Sequence, residues 1–165
     1  MTVSIGDTSI TETPHYVLLD DLDANRRIGP KLLPMSRGAE NLAIYGFSDK
    51  GPYDRFCMAS ERLLKPYPLV KVFLRDEVAK QDAGVTLVVL DAPGPRAPIL
   101  HAATVEAVLD AHQSHKVQVA TSFRLVLIPV ANVYRVEDCS GVPCGAEITK
   151  QPKSRSSEDQ RESEQ

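Results

Sequence analysis

Apolar and polar positions along the chain form short runs, and the spacing within each run predicts a strand or a helix. Strands are predicted where apolar side chains are continuous or alternate with polar ones, and helices where they recur every three or four residues. The run VTLVVLD at 85–91 is continuous, which is typical of a strand covered on both faces. The predicted strands are residues 15–20, 41–48, 69–75, 85–91, 116–130 and 132–137.

Two segments have the helical spacing. The first covers residues 51–64 and begins at a Gly-Pro pair, since proline suits the first helical position. The second ends at about residue 114 and begins either at Pro98 or at a Thr104 cap. Residues 24–40 contain two glycines and two prolines, so a long irregular loop is predicted there.

From residue 41 to residue 130 the predicted order is strand, helix, strand, strand, helix, strand, which is the split βαβ arrangement of ferredoxin-like folds. We therefore predict an α+β fold with a ferredoxin-like core and flanking strands at both ends. In this arrangement the strands at 69–75 and 85–91 form an antiparallel hairpin. A thioredoxin-like or irregular mixed sheet is the alternative.

The size and composition of the chain are those of one globular domain. It has 165 residues, of which 42% are hydrophobic and 25% are charged. The last sixteen residues, 150–165, have no strongly apolar side chain, so they are predicted to form a disordered polar tail. Residues 1–13 are predicted to be a flexible N-terminus, which leaves a single α+β domain at 14–149.

Charge and hydropathy make several classes of protein less favoured. The net charge is -3 and the basic residues are not clustered, so nucleic acid is not a favoured partner. The N-terminus is polar, unlike a secretory signal, and no run of 18 apolar residues predicts a membrane span. We therefore expect a soluble, cytoplasmic protein. Three cysteines do not form a disulfide framework, so free thiols are expected.

Histidines on the second predicted helix are the candidate metal ligands. His101, His112 and His115 lie within about 60° of one another around a helix, but His101 is about 16 Å from His112 along its axis. Only His112 and His115 could share an ion, and they would need further ligands. They are therefore weak metal candidates, and partly buried structural histidines are the simpler interpretation. No cofactor is implied.

The candidate catalytic residues are His112, Asp91 and Cys139. Asp91 ends an apolar strand, but the chain has no Gly-rich phosphate loop to accompany it. Cys139 and Cys144 flank a turn that could bring their sulfurs together, although the spacing is not the C-x-x-C of redox enzymes.

Two functions of different class follow from these observations. The preferred one is a non-catalytic interaction or regulatory module, with a second copy or another protein as candidate partner. Its contact surface would be a sheet edge or open sheet face, including the apolar residues 126–130 and the strand with Tyr134. The alternative is a small enzyme or metal-binding protein with a site around His112, His115 and Asp91. For this alternative Asp21 and Cys139 are also candidates, and the side chains would have to converge in one pocket.

Overall fold

The computed structural model describes residues 9–20, 23–34, 41–80 and 85–139. Within these ranges the protein is a mixed α+β structure with three helices and ten strands. The predicted tail at 150–165 lies outside the described residues, as do the first eight residues of the predicted flexible N-terminus. The helices are α1 (Lys50–Ala59), α2 (Lys71–Ala79) and α3 (Val105–Gln113). The strands are β1 (Ile10–Glu12), β2 (Tyr16–Asp20), β3 (Asp23–Arg27), β4 (Leu42–Phe47), β5 (Leu64–Pro68), β6 (Thr86–Leu90), β7 (Ile99–Thr104), β8 (Gln118–Ala120), β9 (Phe123–Ile128) and β10 (Val133–Asp138).

One large sheet has the strand order β10-β9-β7-β6-β4-β2-β3, and β5 pairs with β2 outside this path. β4 and β6 are parallel, whereas the other strand pairs of the sheet are antiparallel. α1, β5 and α2 form the connection between the two parallel strands. β1 and β8 form a separate antiparallel pair.

Residues 28–33 join the two sides of the large sheet. The Tyr45 N–H donates to the Ile28 carbonyl at 2.9 Å, and the Tyr134 N–H donates to the Lys31 carbonyl at 2.8 Å. Ile28 thus lies beside β4, and Lys31 lies beside β10. In a flat sheet these two positions would be six strand spacings, about 29 Å, apart, whereas three residues extend about 11 Å at most. The sheet must therefore curl until its edges meet across this segment.

The two faces of the curled sheet form two separate cores. Along β6, Leu87 and Val89 belong to the first core, and Val88 and Leu90 belong to the second, as the twofold period of a strand requires. The first core takes residues from six strands and from α1, which contributes Phe56, and it lies inside the curl. α2 and α3 cover the second core on the outside.

Four predicted strands are present. β2, β4, β6 and β10 fall within or nearly within the segments predicted at 15–20, 41–48, 85–91 and 132–137. All five residues of β6 are buried, which confirms the prediction of a strand covered on both faces.

The strand predicted at 69–75 is wrong, because this segment begins helix α2. Its apolar residues are not buried together on one face, since Leu74 is fully buried and Val72 is 63% exposed. Leu74 and Val78, four residues apart, instead pack on the second core. The apolar face of α2 therefore continues to Val78, through a stretch whose charged residues resemble a polar turn in the sequence. The hairpin predicted between 69–75 and 85–91 is also wrong, since β6 pairs with β4 and β7.

The second predicted helix begins at its Thr104 cap and not at Pro98. The Thr104 hydroxyl accepts a hydrogen bond of 3.2 Å from the Ala107 N–H, which satisfies one of the unpaired donors at the start of α3. The residues between Pro98 and this cap form strand β7 instead. The first predicted helix begins within one residue of its expected start but ends at Ala59, and β5 begins after a short connection at Leu64.

Three further predicted segments differ from the observed strands. The strand predicted at 116–130 is broken at Thr121, whose N–H and hydroxyl both donate to the Ser9 carbonyl, so that β8 pairs with β1 while β9 joins the large sheet. β1 lies inside the N-terminus that was predicted to be flexible, and β3, apart from its first residue Asp23, lies inside the predicted loop at 24–40. With α2 in place of a strand and β7 added, the ferredoxin-like split βαβ arrangement is not confirmed in detail.

Candidate functional site

A cleft of about 700 Å³ opens at one end of the curled sheet. Its walls are the joining segment 28–31, the end of α1 with the residues that follow it (59–62), and the loop 93–98. These parts are distant in sequence and meet because the sheet closes on itself. A second depression of about 600 Å³ continues from it along residues 27–34 and shares residues 28–31 and Arg62 with the cleft.

Three aromatic residues form the floor of the cleft. The rings of Tyr45 and Phe56 lie 4.5 Å apart between centroids, and both residues are at most 3% exposed. The Tyr134 hydroxyl donates a hydrogen bond of 2.8 Å to the Ala97 carbonyl, which ties β10 to the loop 93–98. Burial raises the pKa of Tyr134, so this hydroxyl is protonated and donates.

The Tyr45 hydroxyl is different from that of Tyr134. Among the described residues it has no hydrogen-bond partner, although its side chain is almost completely buried. Burial raises the pKa of Tyr45, and nearby Tyr134 raises it further, so the hydroxyl is neutral and can donate a hydrogen bond. The fully buried polar side-chain atoms that have no hydrogen-bond partner among the described residues are Arg27 Nε and Asn41 Nδ2, so the Tyr45 hydroxyl is not sealed off from the cleft that Tyr45 lines. It is therefore a donor open to a ligand in the cleft.

Asp91 shapes the start of the loop 93–98 but does not line the cleft. Its two carboxylate oxygens accept hydrogen bonds from the Ser48 N–H at 2.8 Å and from the Ser48 hydroxyl at 2.7 Å. The Asp91 backbone has a left-handed φ of 45°, a conformation that Asp tolerates better than most residues. The carboxylate therefore links the carboxyl ends of the parallel strands β4 and β6 and directs the chain into the loop.

Charged side chains at the rim of the cleft are mostly basic. Lys31, Arg62 and Arg96 are exposed there, with Glu61 as the acid among the described lining residues. Arg62 is 3.9 Å from the Asp20 carboxylate, whereas Lys31 and Arg96 have no ion-pair partner among the described residues. The rim thus has an excess of positive charge.

The histidines lie away from the cleft. The Nε2 atom of His112 is 2.8 Å from the Pro14 carbonyl, so Nε2 carries a proton and donates, and the ring meets that of His15 edge-on at 5.3 Å. Burial lowers the pKa of His112, and nearby His15 and Lys71 lower it further, against the effect of the Pro14 hydrogen bond. His112 therefore fastens the N-terminal segment to α3.

The stripe of histidines predicted on one helix is not present. His101 lies in β7, and His115 is exposed beyond the end of α3 with a φ of 52°. His112 and His115 belong to no cluster, since the described residues contain no group of three or more His, Cys, Asp or Glu side chains that could hold a metal ion.

Cys139 is disulfide-bonded, which corrects the expectation that the cysteines are free thiols, while Cys57 is a free thiol whose pKa is raised by burial. Cys144 and Asp21, named in the sequence analysis, lie outside the described residues. Cys139 follows β10, and its N–H donates to the Ser122 carbonyl. It therefore does not share a location with Asp91, at the end of β6, or with His112 on α3.

Sequence reasoning did not identify the cleft, although it named the strand with Tyr134 as part of a contact surface. Tyr45 and Tyr134 are ordinary strand aromatics in the sequence, and Lys31 and Arg96 are isolated basic residues in loops. One signal was available: the segment PGPRAP at 93–98 holds three prolines, which indicates a stiff loop of the kind that often carries a binding site.

Within the part of the chain that the structure describes, no helix has the length and apolar character needed to cross a membrane. Comparison with known proteins adds no relative: no family model matches the chain, and no curated protein or solved structure is significantly similar to it.

Proposed function

We propose that this protein is a non-catalytic binding module that takes its ligand into the cleft between residues 28–31, 59–62 and 93–98. The observation that carries the proposal is the cleft itself, with a floor of aromatic side chains and a basic rim. Its volume of about 700 Å³ lies within the range of small-molecule sites. A cytoplasmic setting is the part of this proposal that rests on sequence alone.

The lining of the cleft supports binding more than catalysis. Among its described lining residues there is no histidine, cysteine or aspartate, and the hydroxyl of its serine, Ser60, accepts a hydrogen bond from the Arg62 N–H. The alternative site around His112, His115 and Asp91 gains no support, because Asp91 is hydrogen-bonded to Ser48 and His112 to Pro14. Both side chains hold parts of the fold together.

The edges of the large sheet are poorly suited to the self-association expected from the sequence. The Leu18 carbonyl accepts a hydrogen bond from the Ile28 N–H, on the side of β2 away from β5, whereas the His15 carbonyl accepts one from the Leu69 N–H, on the β5 side. The backbone N–H and C=O groups of odd-numbered β2 residues therefore point toward β5. In this register Pro66 and Pro68 face outward from β5, and neither has an N–H to offer to another strand.

The outer edge of β10 is also occupied, because Tyr134 exchanges hydrogen bonds with Lys31 and Leu33. Tyr134 itself is buried in the first core and adds nothing to an exposed apolar surface, whereas Val130 of the same expected surface is fully exposed. A partner is therefore better accommodated in the cleft than along the β5 or β10 edge.

A cleft-filling substitution tests the proposal. The probes are 2-naphthoate and 2-acetylnaphthalene, and binding is followed by the amide chemical shifts of the ¹⁵N-labelled full chain. We expect shifts at Gly29, Gly94 and Ala97, and we expect them to disappear in Ala59→Trp, which fills the cleft from the end of α1. Met58→Trp is the matched control, since Met58 is 87% exposed and does not line the cleft.

Loss of the shifts in Ala59→Trp and their retention in Met58→Trp would support the module. If neither probe moves the cleft amides, or if both tryptophan variants bind like the wild type, the proposal is wrong.

A further inference from the structure

We infer that the ligand of this cleft is a planar aromatic carboxylic acid that has a hydrogen-bond acceptor at the end opposite its carboxylate. The inference rests on the proposed function and specifies its ligand class. In this arrangement the acceptor meets the Tyr45 hydroxyl at the floor, the aromatic body lies against the floor rings, and the carboxylate lies at the rim near Arg96 and Lys31.

The hydrogen bonding of the two tyrosine hydroxyls on the floor implies that the ligand has an acceptor. The Tyr45 ring packs against Phe56 at 4.5 Å between centroids, and both residues line the cleft together with Tyr134. The Tyr134 hydroxyl already donates to Ala97, while that of Tyr45 has no partner among the described residues. A neutral phenol has one proton to donate, so a carbonyl or ether oxygen satisfies it and an apolar group leaves it unpaired.

The aromatic body follows from the walls. Phe56 and Tyr134 on the floor and three prolines in the loop 93–98 are apolar and stiff, so the cleft loses little conformational entropy when a rigid ligand binds. Rigid flat rings match such walls better than a flexible chain, which would lose its own rotational freedom on binding.

The position of the carboxylate follows from the charges around the rim. α1 ends at the cleft, and the C-terminal end of a helix carries a partial negative charge that disfavours an anion beside Ser60. Arg62 lies near that end and is already close to Asp20. Arg96, in the loop 93–98, and Lys31, in the joining segment, have no ion pair among the described residues, so they are the cations available to a carboxylate.

The test compares three probes of the same ring system on the full chain: 6-acetyl-2-naphthoate, which has both features, 2-naphthoate, which lacks the acceptor, and 2-acetylnaphthalene, which lacks the charge. Dissociation constants are obtained by titrating the amide shifts of Gly29, Gly94 and Ala97. We expect 6-acetyl-2-naphthoate to bind most tightly, by about 2- to 10-fold over 2-naphthoate, as one additional hydrogen bond provides.

Two sets of variants assign the effects to residues. Tyr45→Phe should remove the advantage of 6-acetyl-2-naphthoate over 2-naphthoate while leaving 2-naphthoate binding unchanged. The double variant Lys31→Gln, Arg96→Gln should weaken both carboxylates by about 2- to 20-fold, as the loss of two exposed charge contacts predicts, with 2-acetylnaphthalene unaffected. Arg75→Gln, on the exposed face of α2, is the control and should change nothing.

The outcomes separate this inference from the proposed function. If 2-acetylnaphthalene binds in the cleft as tightly as the carboxylates, or if Tyr45→Phe leaves the advantage of the acetyl group intact, the ligand class is wrong while the binding module stands. If no probe moves the cleft amides, both are wrong. Thermal unfolding of each variant confirms that it is folded, so a loss of binding is not a loss of structure.

Discussion

The backbone of Tyr134 pairs with that of Lys31: the Tyr134 N–H donates to the Lys31 carbonyl at 2.8 Å. This bond joins the last strand of the sheet to a segment that also pairs with β4 near the middle of the strand order. It therefore closes the sheet, and the cleft exists because the sheet is closed.

Substitution of Gly29 should disrupt this closure. A Cβ atom on Gly29 would lie 1.6 Å from the Ala43 carbonyl oxygen, and both the joining segment and β4 are backbone that must move to relieve the contact. We expect Gly29→Ala to lower the free energy of unfolding by about 3 kcal/mol or more in urea titrations.

Gly51→Ala is the control for this substitution. The Cβ at that position would meet the Arg55 side chain at an ordinary 3.7 Å inside helix α1, so the variant should be neutral or up to about 1 kcal/mol more stable. Equal effects of the two alanines would contradict the close packing of Gly29.

Asp91 should act as a structural residue. Asp91→Asn keeps a residue that tolerates the left-handed backbone but has one acceptor oxygen where the carboxylate presents two to Ser48. We expect a loss of about 1–2 kcal/mol in the free energy of unfolding, measured with urea. Asp49→Asn, at an exposed neighbouring position, should change stability by less than about 0.5 kcal/mol. An Asp91→Asn protein as stable as the wild type would refute this role.

His112 should make the folded state sensitive to acid. Its pKa is lowered on folding, mainly by burial, so below the ordinary value of 6.5 the unfolded chain binds a proton that the folded protein resists. The contribution of His112 to stability is therefore complete above about pH 6.5 and is lost as the pH falls from there toward the lowered pKa of the folded state.

The measurement is the free energy of unfolding between pH 8 and pH 5. His112→Gln can keep a donor toward Pro14 without titrating, so the fall in stability with acid should be shallower in this variant than in the wild type. His115→Gln, at an exposed position, should follow the wild-type curve. Superimposed curves for wild type and His112→Gln would show that another group is responsible.

Pro66 and Pro68 should keep the β5 edge unpaired. Replacing both with valine restores two outward N–H groups on a strand that β2 pairs on one side only. We expect the double variant to self-associate at concentrations where the wild type sediments as a monomer. Tyr67→Val is the control, because its backbone N–H faces β2. A monomeric double variant would mean that another feature protects this edge.

The elements that the sequence predicted correctly are those whose surroundings agree with their local pattern. β6 is apolar at every position because the sheet is covered on both faces, and the Thr104 cap begins α3 through a hydrogen bond three residues away. The failure at 69–75 has the opposite cause. Alternation over seven residues also fits the first turns of a helix, and only the second core, which buries Leu74 and Val78 together, decides between the two.

The candidate site depends even more on tertiary packing than the strands and helices do. The sequence by itself determined the mixed α+β class and the fully buried central strand, because these depend on neighbours within about ten residues. Tertiary structure decided that Tyr45, Tyr134, Lys31 and Arg96 share one cleft, since they come from four segments that meet only when the sheet closes. It also decided that Asp91 and His112 are held by Ser48 and Pro14, because a hydrogen bond between residues 43 or 98 positions apart leaves no trace in local spacing.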